Sequence, residues 1–164
     1  MSDNIANRNK AVPVAYLKTY GKKMVQQGYA IHPVKYRQKG IFDEDWQQTR
    51  ATEQTVDRWT SNGHASSGIS ILTYKTPAID IDCTDKTLTD IATKIVCEEL
   101  KLPYEELVVR QGMAPKIAII CRTDIPFSKR TGNWYKDDLG AKHRVEILGE
   151  GQQLVAYNIH PDTN

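Results

Sequence analysis

The sequence predicts an α+β domain built on a mixed or antiparallel sheet flanked by helices. Three observations predict it. The apolar pattern runs helix, strand, helix, strands, helix, strands, and the later strands are short with turn-length links. No glycine-rich phosphate loop of the Walker or Rossmann type interrupts the pattern, so a doubly wound parallel sheet is not favoured. The chain of 164 residues is long enough to bury one core without staples.

The elements follow in order. Residues 1–11 are polar and read as a disordered tail, with no apolar signal-peptide segment. Pro13 suits the first turn of a helix. Val14, Leu17, Met24 and Val25 recur at helical spacing, which predicts a helix over 13–27 ending at Gly28. Tyr29–Lys35 alternates as a short strand, and a basic loop with Lys35, Arg37 and Lys39 follows. Thr52 caps a short helix that turns Val56 and Trp59 to one face. Gly68–Thr73 and Ala78–Cys83 read as strands. Thr87-Leu-Thr-Asp90 resembles a capping box opening a helix whose apolar face is Leu88, Ile91, Ala92, Ile95 and Val96, closed by Pro103. Leu107–Arg110, Lys116–Arg122, His143–Leu148 and Leu154–Asn158 complete the strands.

Composition narrows the function classes. Lys and Arg number 22 and Asp and Glu 20, a net charge of +2, so only a local patch, not bulk charge, would bind nucleic acid. No apolar run approaches the ~18 residues of a membrane helix, and no membrane partner is expected. Cys83, Cys97 and Cys121 form no C-x-x-C or Cys/His cluster. They read as small buried hydrophobes in a reducing cytoplasm.

The chemistry concentrates in Ala78-Ile-Asp-Ile-Asp-Cys83. Alternation sends Ile79, Ile81 and Cys83 into the core and leaves Asp80 and Asp82 together on the other face, roughly 7 Å apart. Nothing local neutralises them, and carboxylates so placed commonly share Mg²⁺ or Mn²⁺. The alternative is a solvated acidic face. In His143–Leu148, Val145 and Ile147 face one way, Arg144 and Glu146 the other. If that strand neighbours the acidic one, Glu146 completes a three-carboxylate cluster suited to a two-metal site. The alternative for Glu146 is a salt bridge with Arg144 or another basic neighbour. Arg110, Lys116 and Arg122 lie on or beside the middle strands, and Lys116 suits a phosphate contact as a point charge. His160 follows the last strand.

With these residues assembled, the sequence resembles a phage- or plasmid-type bifunctional primase–polymerase domain of the archaeo-eukaryotic primase superfamily. Four segments carry the resemblance: Gly28–Lys39 with Trp46 and Ala51-Thr52; Ser67–Thr73 leading into Ala78–Asp82; Val109–Lys116 continuing to Arg122-Thr-Asp124; and Val145–Gly149 with Gln152-Gln153 and Ile159–Thr163. The resemblance implies a primase–polymerase catalytic core with an RRM-like sheet over 12–164. It implies Asp80, Asp82 and Glu146 as catalytic metal ligands for Mg²⁺ or Mn²⁺, with nucleoside triphosphates and single-stranded or primed DNA as partners. The superfamily's middle-strand S-x-H histidine is missing, and Ala114-Pro-Lys116 stands there. Arg110, Lys116 and His160 are the candidate nucleotide contacts in its place. Relatives run on past this segment, many into a helicase, which implies a piece of a longer replication protein in a bacterial or archaeal cytoplasm.

The expected reaction is attack of a primer 3′-hydroxyl on the α-phosphate of an incoming nucleotide. Lys35, Arg37, Lys39, Lys129 and Arg130 are candidate template-backbone contacts, or else solvated loop charges. Trp134 and Tyr135 are candidates to stack on a base or to anchor a loop on the core. Two other classes compete. A metal-dependent nuclease uses similar carboxylates with a lysine beside them, but no acidic-x-Lys pairing follows Asp82. A non-enzymatic binding module would have no use for carboxylates facing phosphates.

Overall fold

The computed structural model describes residues 14–159; the expected tail over 1–11, Pro13 and His160 lie outside them. The described residues form nine strands: β1 (Ile31–Val34), β2 (Gly68–Leu72), β3 (Ala78–Asp82), β4 (Val108–Gln111), β5 (Ile117–Ile120), β6 (Arg130–Thr131), β7 (Tyr135–Lys136), β8 (Lys142–Leu148) and β9 (Gln153–Tyr157). They form two sheets. One is three-stranded, in the order β1-β2-β9; the other has the order β4-β5-β3-β8-β6, with β7 also on β8. Every pairing of named strands is antiparallel. A lone parallel bridge joins Ser128 and Glu150. The architecture is therefore α+β with antiparallel sheets flanked by helices.

The helices α1 (Tyr16–Gln26) and α2 (Glu53–Trp59) cover the small sheet. Leu17 and Met24 of α1 meet Val56 and Trp59 of α2 over Ile31, Ile69 and Ile71. Gly21 lets the two helices close up, since a Cβ there would stand 2.9 Å from Cγ1 of Val56. Gly28, at φ +81, takes the left-handed turn after α1. Thr52 caps α2 as expected, and Thr55 completes a reciprocal box with it.

The third helix, α3 (Lys86–Leu100), covers one face of the large sheet and departs from expectation in two ways. Its cap is Asp85, whose Oδ1 accepts from the Leu88 N–H at 2.8 Å. Thr87 is thus inside the helix, because the carboxylate two residues earlier satisfies the free N–H groups first. The buried stripe is also rotated. Leu88, Ala92 and Val96 pack on the sheet, while Ile91 and Ile95 remain 52% and 53% exposed. Thr89 and Thr93 take the inward positions instead. Their hydroxyls donate to the carbonyls of Asp85 and Thr89, at 3.0 and 2.7 Å, which removes the cost of burial. Lys101, left-handed at φ 55, ends the helix before Pro103 acts.

Three contacts lock the sheets together. Leu154 of β9 packs on Ala78, Ala118 and Leu148. The Arg122 guanidinium donates to the carbonyls of Gln27 and Gly28 and lies 4.2 Å from the Tyr29 ring centroid. Arg122 thus fastens the end of α1 to the large sheet rather than standing free. Thr73, fully buried, donates its hydroxyl to the Gly149 carbonyl at 2.5 Å, where β2 leaves the small sheet and β8 leaves the large one. No helix among the described residues is long and apolar enough to cross a membrane. All three cysteines are free, and burial pushes the thiols of Cys83 and Cys121 up.

Thr73→Val keeps the shape of this junction but removes one of two donors to the Gly149 carbonyl, which keeps the Gln152 N–H at 3.2 Å. Urea unfolding is expected to show a loss of about 0.5–1.5 kcal/mol; an unchanged midpoint would show that the bond contributes nothing.

Candidate functional site

Alternation in β3 does what the sequence requires. Ile79, Ile81 and Cys83 pack with α3, and Asp80 and Asp82 lie on the opposite face. The pairing of β3 with β8 then sets Asp80 directly across from Glu146 and Asp82 across from Arg144. Directly opposed residues share a face. On the other side, β5 sets Ala118 across from Asp80, and β4 sets Arg110 across from Ala118. Thr131 of β6 is across from Glu146. One transverse row therefore reads Arg110, Ala118, Asp80, Glu146, Thr131. Ala118 is the small residue that leaves Arg110 and Asp80 open to each other.

Asp82 and Glu146 are not left bare, as the local sequence suggests, but are neutralised by cations of β8 itself and of the segments just before β5 and β6. Lys116 Nζ stands 2.7 Å from Oδ1 of Asp82. Lys129 Nζ and Arg144 Nη2 each stand 2.9 Å from Oε1 of Glu146. The Thr131 hydroxyl approaches the same oxygen at 3.4 Å. The salt-bridge alternative for Glu146 is thus realised, with Lys129 as an added partner. Asp80 differs: it makes no ion pair or hydrogen bond with a described residue. Burial first, then the charges of Asp82 and Glu146, push its carboxyl above the usual range, against Arg110 and Lys39. Burial pulls the Arg110 guanidinium below its usual value, opposed by Asp80.

Arg110 and Asp80 of this row, with Asp82, line a cleft of about 300 Å³ between the two sheets, and Glu146 stands beside it on β8. Lys39, Asp80, Asp82, Arg110 and Lys116 reach it from the loop and the large sheet, and Gln153 from the small one. Gly112 makes room for Arg110, since a Cβ there would collide with the guanidinium. A larger hollow of about 620 Å³, lined by Thr93, Cys97 and Tyr104, lies on the α3 side, away from the carboxylates.

The candidate template contacts separate. Lys39 lines the cleft. Lys35 lies over the Phe42 ring, 5.8 Å from its centroid. Arg37 takes a left-handed conformation at φ 54, and its N–H donates to Asn158 Oδ1. Lys129 joins Glu146, whereas Arg130 pairs with Ile147 and shares the face that α3 covers. Alternation on β6 divides these two neighbours. His160 lies outside the described residues. Trp134 has its ring 4.1 Å from the Arg144 guanidinium and half its surface exposed.

Several positioning residues escaped sequence reasoning. His143 is buried, its Nδ1 accepting from the Thr84 N–H at 3.2 Å and its Nε2 3.1 Å from Asp137 Oδ2. With Nδ1 accepting, Nε2 carries the proton and donates to Asp137. Its bond to His143 holds the Asp137 carboxyl below the usual range. The relay ties the turn after β3 to the turn before β8, on either side of Asp82 and Arg144. Asn158 Nδ2 donates to the carbonyls of Lys35 and Gln38, and Gln153 Nε2 to that of Lys39, so β9 fixes the basic loop. The only signal was the polarity of His143 at an inward strand position.

The donor chemistry suits a hard divalent cation: three carboxylates on one face, with Asp80 unpaired and electrostatically strained. As they stand, Asp82 and Glu146 are turned to side-chain cations. Among the described residues, no three His, Cys, Asp or Glu side chains converge on one metal position.

Because folded Asp80 binds its proton more tightly than the unfolded chain does, stability falls as pH rises from the usual carboxylate range through the raised pKa. The cost persists above it. Asp80→Asn is expected to stabilise the metal-free protein at neutral pH, with the gain fading as pH drops toward ~4. Urea unfolding at both pH values checks this, and a variant less stable at neutral pH would contradict it.

No protein-family model matches the chain, and no curated protein matches it.

Proposed function

We propose that the chain performs template-directed nucleotidyl transfer as a primase–polymerase catalytic core, with the large sheet as its RRM-like platform. The observation that carries this reading is the opposition of Asp80 and Glu146, with Asp82 one step along β3, beside Arg110 and Lys116 in the cleft between the sheets. A cleft that joins clustered carboxylates to cations of two strands suits a polyanionic substrate bound through a divalent metal.

Asp80, Asp82 and Glu146 would hold the metal. When bound there, Mg²⁺ or Mn²⁺ supplies activation of the attacking 3′-hydroxyl and charge neutralisation on the departing pyrophosphate. The chain's own residues do the rest. Arg110, between Gly112 and Asp80, presents a fixed fork to phosphate oxygens. Lys116 supplies a flexible point charge. Lys39, held through its carbonyl by Gln153, brings the basic loop to the cleft mouth, where a template backbone would pass. Thr131 and Arg144 orient Glu146, and Trp134 steadies Arg144.

One observation favours a second reading. A metal-dependent nuclease needs a lysine beside its carboxylates, and Lys116 Nζ is 2.7 Å from Asp82. The objection from local sequence loses its force, because the residue just before β5 supplies the lysine that β3 lacks.

A labelled primer–template incubated with Mg²⁺ or Mn²⁺ and nucleotides separates the readings. Nucleotidyl transfer predicts lengthened strands, and a loss of about 100-fold or more in Asp80→Ala/Asp82→Ala. Strands shortened instead would establish the nuclease. Binding indifferent to metal, with neither product, would leave a binding module.

A further inference from the structure

We propose that Lys116 is an exchangeable internal counter-ion: it neutralises Asp82 in the metal-free protein and gives up that carboxylate when a divalent cation loads. The inference rests on the metal-dependent reading above and adds how the site keeps itself assembled before loading.

Charge balance makes the case. Asp80, Asp82 and Glu146 bring three negative charges to one face. Lys116, Lys129 and Arg144 stand in direct contact with two of these groups and bring three positive ones. The face is already neutral, and Arg110 adds a further cation in the same cleft. A divalent ion entering unchanged contacts would leave an excess of at least two positive charges. Such an excess inside a cleft is relieved by moving a cation away or by bringing in an anion.

The three cations differ in how readily they can move. Arg144 is braced by the Trp134 ring at 4.1 Å and by its contact with Glu146. Lys129 holds a carboxylate only 9% exposed, which Arg144 and Thr131 also grip. Lys116 holds Asp82 through a single 2.7 Å contact, and both side chains are about one-third exposed, at 31% and 35%. Its four-carbon stem can rotate the ammonium away with little rearrangement. Asp82 is therefore the carboxylate most easily freed, and it adjoins Asp80, which has no ion-pair partner among the described residues. The released ammonium remains in the cleft, where the phosphates of a metal-bound nucleotide would receive it. Loading and phosphate binding would then support each other, as reciprocal linkage requires.

The test is Mn²⁺ affinity, read from the free-ion paramagnetic resonance signal with no nucleotide and no turnover. Lys116→Met should bind Mn²⁺ about fivefold more tightly than the wild type, at the low end of ordinary coupling energies. In an Asp82→Asn background the same substitution should change nothing, because the carboxylate contested by lysine and metal is gone. Lys116→Gln provides a second variant, and thermal melting verifies that each one folds. Wild-type binding that Lys116→Met leaves equal or weaker would overturn the inference while sparing the metal site. Tightening in both backgrounds would also overturn it, by reducing the effect to overall charge. A wild type that binds no Mn²⁺ would remove the metal-dependent reading and this inference together.

Discussion

The antiparallel register between β3 and β8 is the constraint on which the site depends. It places Asp80 across from Glu146, two acids that repel, in the centre of a sheet. Strand pairing holds them there because the same register packs Ile79, Ile81 and Val145 into the core on the other face. Slipping β8 by one residue would turn Val145 toward the cleft face and Glu146 into the core. Burial on one face thus maintains an electrostatically unfavourable arrangement on the other. Such local conflict between stability and charge supports the proposed ligand site.

The surrounding structure limits the cost. Cations from β8 itself and from the segments just before β5 and β6 neutralise the outer carboxylates and leave Asp80 as the strained member. The small sheet closes the cleft from above through β9, which also fixes the basic loop by way of Gln153 and Asn158. Arg122 and Thr73 hold the sheets at that separation. The positioning machinery therefore draws on every part of the fold, although the carboxylates occupy only two strands.

Much of this was legible in the sequence, and the losses have physical causes. Period-two alternation in Ala78–Cys83 and His143–Leu148 gave both carboxylate faces, because one buried face suffices to write that pattern. The partner of each acid was not legible, since register is a long-range property. Hence the sequence offers Lys116 and Lys129 as phosphate and template contacts without showing that they stand against Asp82 and Glu146. The α3 stripe was misread because Ile91 and Ile95 outrank threonine in hydrophobicity, while hydroxyls that bond within the helix let Thr89 and Thr93 go inside. The strands β6 and β7 are two residues long, too short to carry a period. His143 was overlooked because a buried histidine declares itself only through partners distant in sequence.

Asp80, Asp82 and Glu146 are proposed to form one divalent-cation site on the open face of the large sheet. Anomalous scattering from crystals grown with Mn²⁺ tests it most directly. The account predicts a manganese peak among these three carboxylates, with the Lys116 ammonium turned away from Asp82. A sheet face without the peak, and Lys116 still seated on Asp82, would contradict it.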